Sequence, residues 1–261
     1  MKKTLIALTV AASAAVSGSA MAWTANGTGG SLELSGNLTP QDKITPWEVM
    51  VGTTVANLDA LIQKGAVDTK VTATNPILVL GIRTQANTPF AGETGIAPQI
   101  NYHGVVNIDK FNKGFAPVTL DIKDPTSGDK IGTMSASMFS GAEMSWKNIN
   151  GGEKAVLYSS EEGQAFFGGL GKTNSSVAND PWSLVNALSA EVIAKYNDQG
   201  VPLTAGVYAQ DNFNKPTVTY SAYYGAGFQP GSVMKITLDT PAAGDAPIAW
   251  EASLPVTVSY Q

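Results

Sequence analysis

The chain has 261 residues, a formal net charge of −5, 14% charged side chains, 27 glycines, one histidine and no cysteine. An acidic chain without a basic cluster is poorly suited to nucleic acid or anionic lipid, so no nucleic-acid partner is expected. With no cysteine and a lone histidine, no disulfide, Cys–His dyad, zinc cluster or His-rich metal site can form within one subunit; neither a metal nor a cofactor is expected.

Met1-Lys2-Lys3 is a short basic start, Thr4 to Val16 is mostly Ala, Leu, Ile and Val, and Ala20-Met21-Ala22 fits the small-x-small cleavage rule. Residues 1–22 therefore read as a secretory signal peptide, with Trp23 as the mature N-terminus. No later apolar run is long enough to span a bilayer. The reading is an exported bacterial protein, placed in the periplasm or on the cell surface.

Residues 23–30 are rich in Gly, Thr and Asn and lead into an alternating run that sets Leu32, Leu34, Gly36 and Leu38 on one face. Two assignments fit this run. It is the first strand of the subunit's own sheet, or a strand lent to a neighbour. Its terminal position, its flexible tether and Gly36, which permits close backbone approach in a constricted groove, favour lending.

Strand-like runs follow at Trp47–Val51, Lys70–Ala73, Ile77–Ile82, Gln99–Ile108, Ala116–Ile122, Lys130–Met138, Lys154–Tyr158, Thr217–Tyr224, Ser232–Leu238 and Ile248–Tyr260. Asp124-Pro125-Thr126-Ser127-Gly128-Asp129 carries hairpin-loop residues. Leu58, Leu61 and Ile62 at helical spacing predict a short surface helix over Ala56–Lys64. Gly141–Gly171 reads as irregular and Gly-rich. A clearer helix begins at Asp180-Pro181, a good N-cap followed by Pro at the first helical position. It carries Trp182, Val185, Leu188, Val192 and Tyr196 on one stripe and ends before Asn197-Asp198-Gln199-Gly200. The whole predicts an all-β antiparallel sandwich interrupted, from about 140 to 208, by a small α/β insertion. The final run places Leu254, Val256, Val258 and Tyr260 on one face, and a carboxylate at Gln261 beside that aromatic suits capture by a cationic partner.

Nothing in these residues argues for an enzyme. His103, in its predicted strand, reads as a structural or surface residue. Gly171-Lys172-Thr173 resembles a phosphate loop, but the glycine required five residues upstream is Phe166. Glu161-Glu162 could serve as a glycosidase pair, yet any acidic protein offers such pairs.

Taken together, the leader Met1–Leu8, the Trp23 start, Gly30–Gly36, Trp47–Gly52, Pro76-Ile77-Leu78, Pro98-Gln99-Ile100, Phe167–Leu170 and the penultimate Tyr260 resemble the FaeG-type fimbrial subunits of the chaperone–usher pathway in enterotoxigenic Escherichia coli. The resemblance covers the whole chain and suggests a minor subunit paralogous to the major adhesive one. It implies an immunoglobulin-like sandwich lacking its last strand, with 23–40 as a donor-strand extension and 41–261 as the pilin domain. In such a family a periplasmic chaperone fills the open groove, an outer-membrane usher extrudes the fibre, and the next subunit's N-terminal segment replaces the chaperone. Leu32, Leu34, Gly36 and Leu38 would then form the donor face. Leu254, Val256, Val258 and Tyr260 would edge the groove, with the Gln261 carboxylate facing the chaperone.

Adhesive members resemble lectins, which makes host glycans a further candidate partner. The stretch Gly141–Tyr208 does not align clearly with theirs, so Trp146, Lys147, Tyr158 and Trp182 stand only as aromatic and polar candidates, with a core role in a small subdomain as the alternative. A second class of function, a secreted monomeric carbohydrate-binding lectin with both ends in its own sheet, explains the leader and the acidity but not the flexible arm.

Overall fold

The computed structural model describes residues 23, 25–40 and 43–261; the signal-peptide assignment at 1–22 lies outside the described residues. The chain divides into one unit ending at Lys43 and a compact unit spanning Ile44–Gln261. In the first, the described residues form neither helix nor strand, and Leu32, Leu34 and Leu38 are 84%, 86% and 99% exposed. The alternating run at 32–38 thus has no sheet partner within this chain among the described residues.

The compact unit is an all-β sandwich. Its strands are β1 (Trp47–Val51), β2 (Asp68–Thr72), β3 (Ile77–Thr84), β4 (Phe90–Ala91), β5 (Pro98–Asn101), β6 (Phe115–Lys123), β7 (Lys130–Asn148), β8 (Gly151–Leu157), β9 (Leu203–Ala209), β10 (Thr219–Phe228), β11 (Val233–Leu238), β12 (Glu251–Ala252) and β13 (Thr257–Tyr260). Two helices, α1 (Pro181–Leu188) and α2 (Ala190–Ile193), follow β8. The large sheet runs β1-β3-β10-β7-β11-β2, with β6 and β8 also on β7, β4 on β10, β9 on β8 and β12 on β6; β13 and β5 form a separate pair.

Strand β7 is the spine. Its first half pairs with β6 and β11, and its second half with β10 and β8. Alternation then sorts its side chains between two layers. Met138, Ala142, Met144 and Trp146 point into the main core, while Phe139 faces the helices with Tyr223, Val185, Leu188 and Val192. The main core centres on Trp47, Phe90, Phe166, Phe213, Tyr220 and Tyr224, in mostly edge-on ring contacts at 5.1–6.3 Å. Trp47 Nε1 donates to the Ile96 carbonyl at 2.7 Å, and the Tyr102 and Tyr224 hydroxyls meet at 2.8 Å.

The helices lie on a floor of glycines. Gly225 of β10 pairs with Gly81 of β3 on one side and Gly141 of β7 on the other. A Cβ would stand 2.7 Å from Val192 at Gly81, 2.6 Å from Val185 at Gly225 and 2.8 Å from Pro181 at Gly141. Only bare backbone lets α1 and α2 approach this closely.

Several expectations need correction. Ala56–Lys64 is not a helix: Asn57 has a left-handed φ of 60°, and Leu61, 96% exposed, has no surface against which to bury an apolar stripe. The stripe from Trp182 to Tyr196 is two helices, because Ser189 adopts an extended φ/ψ of −165°/119° between them. Asp180 nevertheless caps as expected, accepting from the Ser183 amide at 3.0 Å, with Pro181 at the first turn.

Gly141–Gly171 is not irregular throughout: it holds the end of β7 and all of β8, and Gly141, Gly152, Gly168, Gly169 and Gly171 serve close packing, while Gly151 and Gly163 take positive φ in open space. Gln99–Ile108 stops being strand at Asn101, whose Oδ1 accepts the His103 amide at 2.7 Å; His103 therefore sits in a turn with φ 52°. Ile248–Tyr260 is broken into β12 and β13, and Leu203–Ala209 and Phe90–Ala91 are strands that the pattern did not mark.

Candidate binding groove and cleft

Two features of the compact unit are open to partners, one on each face of the large sheet. On the face that holds the main core, β13 pairs, among the described residues, only with β5. Val258 and Tyr260 of β13, with Leu254 and Val256 in the segment just before it, alternate with exposed residues, packing on the core while staying half-buried. Trp47, Val49 and Val51 of β1 share one face by alternation. Trp47 is buried there, but Val49 and Val51 are 41% and 59% exposed, and Val55 beyond them is 42% exposed. Burial raises the Tyr260 hydroxyl's pKa, and a hydrogen bond with Thr45, just before β1, opposes the rise. Thr45 therefore lies near the end of β13. Two half-covered apolar rows therefore border the same core, each on a strand whose ladder, among the described residues, runs to one side only. Val49, Val51 and Val55 were missed by the sequence reading, although their spacing from Trp47 carried the signal.

At the end of β13 the Gln261 amide nitrogen donates to Glu162 at 2.7 Å, and its backbone bonds Ala97 in both directions. The Glu161 and Gln164 side chains pair at 3.2 Å, so both glutamates of the candidate carboxylate pair are engaged in local loop contacts.

On the opposite face, α1, the segment after α2 and the β7–β9 strands enclose a cleft of about 970 Å³. Glu143, Lys154, Asp180, Trp182, Tyr196, Asp198 and Tyr208 line it. Glu143 is 7% exposed and accepts the Tyr196 hydroxyl at 2.9 Å. Burial raises the Glu143 carboxyl above the ordinary glutamate range, opposed by the Tyr196 hydrogen bond and the Lys154 charge. Lys154 stands 3.7 Å from Asp198. Trp182 and Tyr223 contact Tyr196 with ring centroids 6.0 and 5.1 Å away.

The four aromatic and polar candidates separate. Trp182 lines the cleft, Trp146 packs on the main core, Lys147 Nζ donates to the Gln199 carbonyl at 3.2 Å, and Tyr158 is half-buried just after β8. A smaller hollow at β1 is bounded by Glu48, Arg83 and Glu191; there the Glu48 carboxylate takes Lys195 at 2.6 Å and Arg83 at 2.5 Å, which fastens α2 and its C-terminal turn to the sheet. Hydrogen bonds from Lys195 and then Arg83 hold the Glu48 carboxyl below its usual range. Among the described residues no group of three or more His, Asp or Glu side chains is placed to hold a metal ion, and no helix is long and apolar enough to cross a membrane.

The fold is thus an all-β sandwich with two half-covered apolar rows beside one core. Comparison with known proteins gives its family. The model of the K88 fimbrial major and minor subunit family matches residues 1–261, and the chain belongs to this family. It is 30% identical to K88 fimbrial protein AB of Escherichia coli over 288 aligned positions, covering all of both chains. It is 28% identical to K88 fimbrial protein AC and 29% identical to F41 fimbrial protein, both of Escherichia coli, again across the full length of each.

Proposed function

We propose that this chain is a fimbrial subunit whose residues 23–40 donate a strand to the open groove of the next copy, the whole being assembled through a periplasmic chaperone and an outer-membrane usher and displayed on the cell surface, where the fibre contributes to adhesion to host cells. The observation that carries the reading is the pairing of two deficits. Leu32, Leu34 and Leu38 have almost no burial in their own unit, while Val49, Val51 and Val55 are exposed and Leu254, Val256, Val258 and Tyr260 are only half-buried on the core. Burying three leucines contributes roughly 1.5–3 kcal/mol each, about 5–9 kcal/mol in total, in addition to main-chain pairing. Gly36 falls where the donor face would otherwise be bulky, as a narrow groove requires. A head-to-tail contact of this kind does not close on itself and so propagates as a filament. The exposed strip and unpaired edges also supply the reason for a chaperone: an uncovered subunit is aggregation-prone.

The test compares three forms of the mature chain: intact, lacking residues 23–38, and with residues 29–38 moved behind a flexible linker to the C-terminus. The intact chain should polymerise or require a chaperone, and the relocated form should be a stable monomer. Three equally stable monomers would replace this reading with that of a self-contained lectin.

A further inference from the structure

The charged side chains that line the cleft beneath α1 are mostly acidic. Its ionisable lining is Glu143, Asp180 and Asp198 against a single Lys154. Lys154 already leans on Asp198 at 3.7 Å, and Asp180 and Asp198 each accept a backbone amide, from Ser183 at 3.0 Å and Gly200 at 2.9 Å. A carboxylate has about four lone-pair sites, and Glu143, 7% exposed, takes the Tyr196 hydroxyl on one oxygen. Next to it lies the Tyr223 hydroxyl, fully buried and without a hydrogen-bond partner of normal geometry among the described residues. Burial raises the pKa of this hydroxyl, and the charges of Glu143, Tyr196 and Asp180 add to the rise, so it stands beside Glu143 but outside the lining of the cleft itself. The lining also includes the rings of Trp182, 41% exposed, and Tyr196 and Tyr208, both half-buried.

The chemistry that such a site lacks is a compact group with several donors, no acceptor and a positive charge. Ammonium groups meet that description, with three N–H donors and no lone pair, and an aromatic face beside a carboxylate attracts them through the ring quadrupole. A neutral sugar brings as many acceptors as donors and leaves the imbalance in place.

We propose that the cleft is a binding site for a small organic ammonium group, seated against Glu143 and covered by Trp182. This proposal is independent of strand donation, because every residue it uses is on the helix-covered side of the large sheet.

The experiment is calorimetric titration of the full-length chain near neutral pH with glucosamine and with n-butylammonium, using N-acetylglucosamine and galactose as neutral counterparts. Both cations should bind and both neutral sugars should bind at least tenfold more weakly. Glu143→Gln, which preserves shape and can still accept from Tyr196, should weaken cation binding tenfold or more. Trp182→Ala, at an exposed position that does not endanger folding, should weaken it severalfold. Binding of glucosamine without n-butylammonium would locate recognition in the sugar ring and overturn the proposal. So would equal binding of galactose with no effect of Glu143→Gln, or no binding of either cation by a chain whose melting curve is intact.

Discussion

Gly225 of β10 stands directly opposite Gly81 of β3, and the two leave a strip of bare backbone on which Val185 and Val192 rest. Neither valine could come as near to any other residue, since a Cβ at either glycine would fall within 2.6–2.7 Å of a methyl group. Gly225→Ala should therefore destabilise the domain by about 1–3 kcal/mol through overpacking. Gly30→Ala, in open space, should be close to neutral. Thermal melts of the two variants beside the parent decide it; equal melting temperatures would mean that the helices ride loosely on the sheet.

In the core, the Tyr224 hydroxyl joins Tyr102 at 2.8 Å and the Gly169 carbonyl at 3.1 Å. Tyr224→Phe leaves the buried Tyr102 hydroxyl without its partner, at a cost of about 1–3 kcal/mol. Adding Tyr102→Phe should recover part of the loss, because no orphan hydroxyl remains; Ser140 Oγ still serves Gly169 at 2.6 Å. Denaturant unfolding of both single variants and the double variant measures the coupling. Additive losses would show that the pair is not an interacting unit.

Val51 offers a separation of stability from assembly. It is 59% exposed in the uncombined chain, so Val51→Asp should change the chain's own stability by no more than about 0.5 kcal/mol. A carboxylate in the groove wall would, by contrast, have to be buried when a donor strand arrives, and fibre yield should fall by an order of magnitude or more. Melting and size distribution, measured on the same preparation, give both numbers. Undiminished polymer would remove this wall from the groove.

Glu143 provides a pH signature. Its folded pKa lies above the unfolded value of 4.5 because burial disfavours the charge. The folded state therefore holds the proton more tightly, and the associated stability is fully present below 4.5, then lost as pH rises through the folded pKa. Glu143→Gln should be the more stable chain at neutral pH, with its advantage shrinking as pH is lowered. Glu48, Asp68 and Asp124, whose pKa values are depressed, shift stability in the opposite sense, but they are common to both chains and cancel in the difference. A pH-independent difference between the two melting curves would contradict this account.

Local rules made part of this architecture legible. Trp47–Val51 is a short run rich in strand-forming side chains, and Asp180-Pro181 starts a helix by capping chemistry that needs no tertiary partner. The family resemblance was visible in short ordered pieces along the whole chain. What local rules could not show was set by packing. The second half of β7 is buried on both faces and loses its alternation, so Gly141 reads as looseness when it serves close contact. The helix break at Ser189 has no Gly or Pro to announce it. The Tyr196–Glu143 pair spans 53 residues and joins a strand to the turn after a helix, a meeting that only the fold creates. Trp182 was singled out for its ring alone; its neighbours in the cleft were not foreseeable.

The helices and the uncovered apolar rows occupy opposite sides of one sheet, so an occupant of either leaves the other unshadowed. For subunits threaded into a line, every copy would then present its cleft outward at a fixed repeat. A contact too weak to hold one molecule becomes durable when dozens are tethered together, since each bound cleft raises the local concentration of its neighbours' ligands. Grip strength would be set by the number of copies in the row, and it could be tuned by fibre length without changing a single residue of the cleft.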